Sequence, residues 1–127
     1  MNLAGGLGDV VSGYKNILIT TPVTERLIAV SHANMHDFWI ISQPCSGSQF
    51  MAYILDGNGL NLTPVLSPAG STINADKCAG ELAVSADGSK LAQILHSIED
   101  DQIEIFSFDN QSGIAGNYAQ IANTTEN

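Results

Sequence analysis

Two histidines and an aspartate lie close together in the segment His32-Ala33-Asn34-Met35-His36-Asp37. Imidazole and carboxylate groups are common ligands of zinc and other transition metals. His32 and His36 are spaced for a shared ligand face only if they lie on a helix, because residues i and i+4 do not share a face in a loop. This polar segment separates two apolar runs, so we predict a turn whose side chains hydrogen bond to backbone groups, and no metal site.

Two other acidic segments are compatible with cation binding. Asp56-Gly57-Asn58-Gly59-Leu60-Asn61 begins like a calcium loop, but Leu60 occupies the place of a third oxygen ligand and no glutamate closes the loop. Glu99-Asp100-Asp101 is a compact acidic run of the kind found at solvated hairpin tips. We therefore predict turns at both segments rather than metal sites.

Patterns for nucleophilic catalysis and for phosphate binding are missing from the sequence. No Gly-x-Ser-x-Gly is present, and Gly5-Gly6-Leu7-Gly8 lacks the lysine and the following helix of a P-loop. We predict no catalytic residue and no cofactor, and we leave enzymatic activity as the less favoured of two alternatives.

The chain is acidic, with four lysines and arginines against thirteen aspartates and glutamates and a formal charge of −9. Such a charge repels phosphate backbones, so nucleic acid is not an expected partner. No apolar run approaches the roughly 18 to 20 residues of a membrane span. The first residues lack the basic and apolar regions of a signal peptide, which indicates either a cytosolic protein or a piece cut from a longer precursor.

Cys45 and Cys78 are the two cysteines of the chain. They are too few and too far apart for a zinc site, which needs Cys-x-x-Cys pairs or a cysteine and histidine cluster. The residues alone leave two alternatives, one disulfide or two free thiols.

Alternating apolar runs separated by polar turns predict an all-β fold. The chain divides into a Gly-rich lead-in with one strand at Asn16–Thr20, a four-stranded sheet, a polar connector, a second four-stranded sheet and a frayed tail. Their ranges are 1–25, 26–70, 71–80, 81–122 and 123–127.

Turn chemistry predicts the hairpins within each of the two sheets. Ala86-Asp87-Gly88-Ser89 lies between two apolar runs, and Asp-Gly is a strong hairpin signal because glycine adopts a positive φ. In the first sheet, the last strand, Leu62–Leu66, contains Pro64 and therefore suits an outer edge. The two sheets repeat with a period of about 53 residues, which approaches that of propeller blades once the long connector is discounted.

The run from Val84 to Ala92, with its Ser-x-Asp-Gly turn, and the later strand ending at Asp109 resemble a blade of the WD40-like and lactonase-like β-propellers. The first repeat, with Leu27–Val30 followed by His32, Asn34, Asp37 and Trp39, resembles the propeller-like region of large secreted surface proteins of gliding bacteria that carry a type B sorting domain. No sorting domain is present in this sequence.

This resemblance implies two four-stranded antiparallel meander blades of a β-propeller, preceded by one strand of a neighbouring blade. It further implies a non-catalytic segment of a secreted or cell-surface bacterial protein that acts as a scaffold for protein or glycan binding. The expected binding-loop residues are His32, Asn34, His36, Asp37 and Trp39. The alternative is a fragment of a lactonase-like or other hydrolytic propeller.

Propeller geometry adds two expectations. The loop that contains Cys45 and the connector that contains Cys78 would open on the same face of the propeller, which makes a disulfide between them feasible. Two blades alone would leave an apolar face bare at each end, so we expect either self-association or further blades in a longer chain.

Overall fold

The computed structural model describes residue 10, residues 13–98 and residues 101–124. Within these residues the chain forms nine β-strands and one 3-10 turn, Ala75–Lys77. The strands are β1 (Val23–Ser31), β2 (Phe38–Pro44), β3 (Gly47–Asp56), β4 (Gly59–Leu60), β5 (Val65–Ile73), β6 (Leu82–Val84), β7 (Lys90–Leu95), β8 (Asp101–Asp109) and β9 (Ile114–Thr124). The predicted all-β fold is confirmed. None of the helical structure in the described part of the chain is long and apolar enough to cross a membrane.

The strands form two antiparallel sheets in chain order. In sheet A, β1 pairs with β2 and β2 with β3, while β3 pairs with both the short β4 and the long β5. In sheet B the order is β6, β7, β8 and β9. Both sheets are therefore meanders, as the turn signals predict.

The two sheets pack face to face around a shared core. Alternate residues of each strand point inward, as in β8, where Glu104, Phe106 and Phe108 are buried. The rings of Phe50 in sheet A and Phe106 in sheet B meet edge to face, with centroids 4.9 Å apart. The core cluster comprises Val30, Trp39, Ile41, Phe50, Ala52, Leu82, Leu91, Phe106, Phe108 and Ala115.

Corresponding edges of the two sheets lie next to each other. The first strands, β1 and β6, are in contact along one side, and the last strands, β5 and β9, along the other. On the second side, the backbone N–H of Ala115 donates to the Ser67 hydroxyl at 3.0 Å. The sheets are thus stacked with their strands in the same order.

The lone strand predicted at Asn16–Thr20 is wrong, because this segment has no strand structure. Asn16 has a left-handed backbone with φ 56°, and Leu18 is 72% exposed. A strand needs a neighbour to pair its backbone groups, and the described residues provide none here. Tyr14, Ile17 and Ile19 instead line a cavity of about 280 Å³ with the β3–β4 hairpin.

The last strand of sheet A begins and ends later than the predicted Leu62–Leu66. Pro64 precedes β5, and the strand runs from Val65 to Ile73 with Pro68 in its interior. β5 therefore takes up the first residues of the expected connector. Likewise, β9 includes two residues of the expected tail, and residues 125–127 lie outside the described part.

Candidate functional site

Three hairpin turns meet at one end of the stacked sheets, which we call the hairpin end. They are residues 32–37 between β1 and β2, residues 85–89 between β6 and β7, and residues 110–113 between β8 and β9. The carbonyl of Asn110 accepts from the backbone N–H of Ala33 at 3.1 Å and from the Trp39 indole N–H at 2.9 Å. These bonds join the first turn of sheet A to the last turn of sheet B.

The turn at 85–89 forms the predicted Asp-Gly hairpin. Gly88 has φ 71°, and its N–H donates to the carbonyl of Ser85. The Asp87 carboxylate accepts from the Ser85 hydroxyl at 2.6 Å and from both the N–H and the hydroxyl of Ser89. These hydrogen bonds lower the pKa of Asp87 to about 2, and the bond from the Ser85 hydroxyl has the largest effect. Asp87 is therefore a fixed negative charge at neutral pH.

The turn at 110–113 is closed in the same way by Asp109. Its carboxylate accepts from the Ser112 hydroxyl at 2.6 Å and from the N–H of Gln111 at 3.0 Å, which lowers the pKa of Asp109. Gly113, with φ 76°, lies against the Trp39 ring, where a Cβ atom would be 2.8 Å from two ring carbons.

His32 joins the turns of the two sheets. Its Nε2 lies 3.1 Å from the carbonyl of Gln111, and its Nδ1 accepts from the N–H of Asn34 at 3.0 Å. A nitrogen facing a carbonyl must carry a proton, and one facing an N–H must not, so these partners fix the neutral tautomer with the proton on Nε2. Both ring nitrogens are used within the protein.

Asn34 and Trp39, two other residues of the predicted binding loop, lie in different environments. The Asn34 side chain accepts from the N–H groups of His36 and Asp37 and donates to the Asp37 carboxylate at 2.6 Å. This is the turn-forming role that the polar sequence predicts. Trp39 is instead a core residue, 6% exposed, and its ring is tilted by 37° against that of His32, with ring centroids 5.6 Å apart.

A cleft of about 390 Å³ opens at the hairpin end between the first strands of the two sheets. One wall is residues 29–31 of β1, and the other is residues 84–88 of sheet B. His32, Met35 and Asn110 complete the lining, which has Asp87 as its one ionised carboxylate.

Met35 lies at the rim of this cleft in an unusual conformation. Its φ is 64°, in the left-handed region that unbranched apolar residues seldom adopt, and its side chain is 83% exposed. An exposed apolar side chain on a strained backbone costs stability without contributing to the core. Such outliers concentrate at binding sites, and Met35 is therefore a candidate contact residue.

A buried polar layer lies between the sheets on the side away from the hairpin end. Arg26 is 1% exposed and donates to the Gln43 side-chain oxygen at 3.1 Å. Its two terminal nitrogens also donate to the carbonyls of Ala79, at 2.7 Å, and Lys77, at 3.1 Å. Burial lowers the pKa of Arg26, against the opposing effect of the nearby Glu104 charge.

Glu104 forms the other half of this layer. It is fully buried, accepts from the Gln93 amide at 2.6 Å and from the N–H of Ser71 at 3.2 Å. The sequence analysis did not predict this polar layer, although the alternation of side chains along the strands places its residues on inward faces. Arg26, Gln43, Gln93 and Glu104 each occupy a core-facing position of an alternating strand.

Cys45 and Cys78 form a disulfide in the structure, with Cα atoms 5.4 Å apart. The bond joins the loop between β2 and β3 to the connector between the sheets. The same connector supplies the carbonyls of Lys77 and Ala79 to Arg26. The disulfide thus holds in place the backbone that surrounds the buried guanidinium.

The described residues contain no group of three or more histidine, cysteine and acidic side chains that could hold a metal ion. Comparisons with family models, curated proteins and solved structures find no match for this chain.

Proposed function

We propose that this chain is a non-catalytic segment of a β-propeller in a secreted or cell-surface bacterial protein, where it is a scaffold for binding. The observation that supports this most directly is the stacking of two successive antiparallel meanders in the same strand order. First strand lies beside first strand and last beside last. Repeated sheets stacked in this manner are the arrangement of propeller blades.

The outer face of sheet B supports the presence of a further sheet. Ala83, Ala92, Ile105 and Ala119 are register partners in a row across all four strands. Ile94 and Ile103 pair in the next row and are 40% and 37% exposed. Small and β-branched side chains in neighbouring rows suit close packing against another sheet.

A protein ligand is favoured over a glycan at the hairpin end. Trp39, the expected aromatic contact, is in the core, whereas the exposed apolar side chain at the cleft is Met35. Methionine adapts to irregular protein surfaces, while sugars are bound mainly by exposed aromatic rings.

The disulfide supports a location outside the cytosol, because such bonds persist in oxidising compartments. No observation favours the hydrolytic propeller of the alternative hypothesis.

Light scattering at micromolar concentration tests the proposed arrangement. The chain should self-associate through its bare face, and Ile105→Lys should shift it toward monomer by placing a charge in the apolar row. Ile98→Lys is the matched control, because Ile98 is 95% exposed in the loop between β7 and β8 and is not part of the apolar rows. A wild-type chain that is monomeric and unfolds cooperatively would refute the propeller arrangement in favour of a closed sandwich.

A further inference from the structure

Among the residues that the structure describes, no strand pairs with one edge of β1, which we call its free edge, and the backbone groups of this edge can be identified from the register. The N–H of His32 donates to the carbonyl of Asp37, its direct partner across the turn. In an antiparallel pair, bonded and non-bonded residues alternate, so the backbone groups of Ile28 and Val30 face β2. Those of residues 27, 29 and 31 therefore face away from the sheet.

These outward groups have no partner within the described part of the chain. Neither the N–H nor the C=O of Leu27, Ala29 or Ser31 takes part in a hydrogen bond outside the β1–β2 pairing. All three residues are exposed, with Leu27 67% exposed. The edge is thus a row of donors and acceptors without a hydrogen-bond partner in the described residues, with Gly88 of the opposite turn near its Ser31 end, where a Cβ built on Gly88 would lie 4.0 Å from the Ser31 carbonyl oxygen.

This edge lacks the features that normally prevent strand pairing. The run Leu27–Ser31 has no charge and no proline, and its register with β2 is continuous. By contrast, β5 contains Pro68 and is joined to β9 by the hydrogen bond from the Ala115 N–H to the Ser67 hydroxyl, and β6 has only three residues. An exposed, uncharged edge of this kind is a template for another strand.

The cleft at the hairpin end lies directly beside this edge. Residues 29–31 form one of its walls and Val84 belongs to the other. In an added strand, every second side chain would point toward sheet B, where the cleft offers about 390 Å³. Asp87 supplies a negative charge at the far wall.

We infer that the free edge of β1 binds an extended polypeptide segment by strand addition, with apolar side chains entering the cleft and a basic residue near Asp87. The inference rests on the proposed binding function and names its class of partner. A second copy of β1 fits less well. Its side chains on that face, Ile28 and Val30, already pack in its own core, so they cannot fill the cleft.

The probe is an acetylated, amidated heptapeptide that begins with lysine and then alternates threonine and valine, so that the lysine and the valines point to the same face. In amide NMR spectra of the labelled chain, it should shift the resonances of Leu27, Ala29 and Ser31. At saturation, hydrogen exchange of these three amides should slow about tenfold or more, while Ile28 and Val30 stay protected throughout.

Two controls test whether backbone pairing is responsible. Ala29→Pro removes an outward N–H and should weaken binding about tenfold, whereas Ala29→Val keeps it and should bind within about threefold of wild type. A probe that is N-methylated at alternate residues tests the same bonds without altering the protein. Two such probes are made, one N-methylated at the odd-numbered residues and one at the even-numbered residues. One of them should not bind, and the other should bind as the unmethylated probe does.

Equal binding of both N-methylated probes, or shifts confined to other strands, would overturn the inference. So would protection of Leu27, Ala29 and Ser31 that depends on protein concentration and not on the probe, because that result indicates pairing with a second copy. A monomeric chain that binds the probe would refute the propeller arrangement and would support the strand-addition site. An associating chain that fails to bind the probe would refute the strand-addition site alone.

Discussion

Replacing Arg26 with methionine removes the one buried cation of the described polar layer while keeping most of the side-chain volume. The change leaves the Gln43 oxygen and the carbonyls of Lys77 and Ala79 without their donor. Each buried acceptor left unpaired costs about 1–3 kcal/mol. The gain from no longer burying a guanidinium offsets part of this cost, and Glu104 in turn loses a favourable charge. We expect a net loss of about 3–5 kcal/mol, as for other buried charges deprived of a partner.

Urea unfolding at pH 7, followed by the emission of Trp39, measures this loss. With a slope of about 1.5 kcal/mol/M, the midpoint should fall by about 2–3 M. Lys90→Met is the matched control, because it removes an exposed lysine. It should change the stability by less than about 0.5 kcal/mol.

The role of Glu104 can be separated with a double-mutant cycle. If the Arg26 and Glu104 charges stabilise each other, Arg26→Met combined with Glu104→Gln should cost less than the sum of the two single changes. A loss below about 1 kcal/mol for Arg26→Met would refute the reasoning. It would mean that the connector carbonyls are satisfied equally well without the guanidinium.

Removing the disulfide by replacing Cys45 and Cys78 with serine should cost about 3–4 kcal/mol, since the bond closes a loop with a sequence separation of 33. Equal urea midpoints for the oxidised protein and the variant would contradict this. Gly113→Ala should cost about 1–3 kcal/mol and shift the emission of Trp39, because the new methyl group meets the ring and the backbone has φ 76°. An unchanged spectrum and midpoint would argue against that contact. The folded-state pKa of Asp87, about 2, lies below the ordinary aspartate value of about 3.9, so the ionised carboxylate stabilises the fold above that value, and this stabilisation is lost as the pH falls toward 2. Stability measured from pH 5 to 2 should therefore fall less steeply in Asp87→Asn, and identical slopes would refute the assignment.

The sequence alone predicted the two antiparallel meanders and most of their strands and hairpin turns. These follow from local signals: side chains alternate with a period of two along a strand, and Asp-Gly selects a tight turn at Asp87-Gly88. The turn role of Asn34 also follows from residue type, because asparagine readily bonds to nearby backbone N–H groups.

Only the tertiary structure decided which local preferences were satisfied. Ile17–Ile19 has the composition of a strand but lacks a neighbour in the described residues, and β-structure depends on a partner. Trp39 follows a polar turn and could have been a surface contact, yet the turn at 110–113 covers it. In both cases the outcome depends on residues that are distant in sequence.

The buried polar layer shows the same dependence most clearly. The alternating pattern places Arg26 and Glu104 on inward faces, but it does not indicate what neutralises them. Their partners come from residues 11 to 68 positions away, among them Gln43 for Arg26 and Ser71 for Glu104. A buried charge is tolerated only where such groups converge, and that convergence is a property of the packed sheets rather than of any one strand.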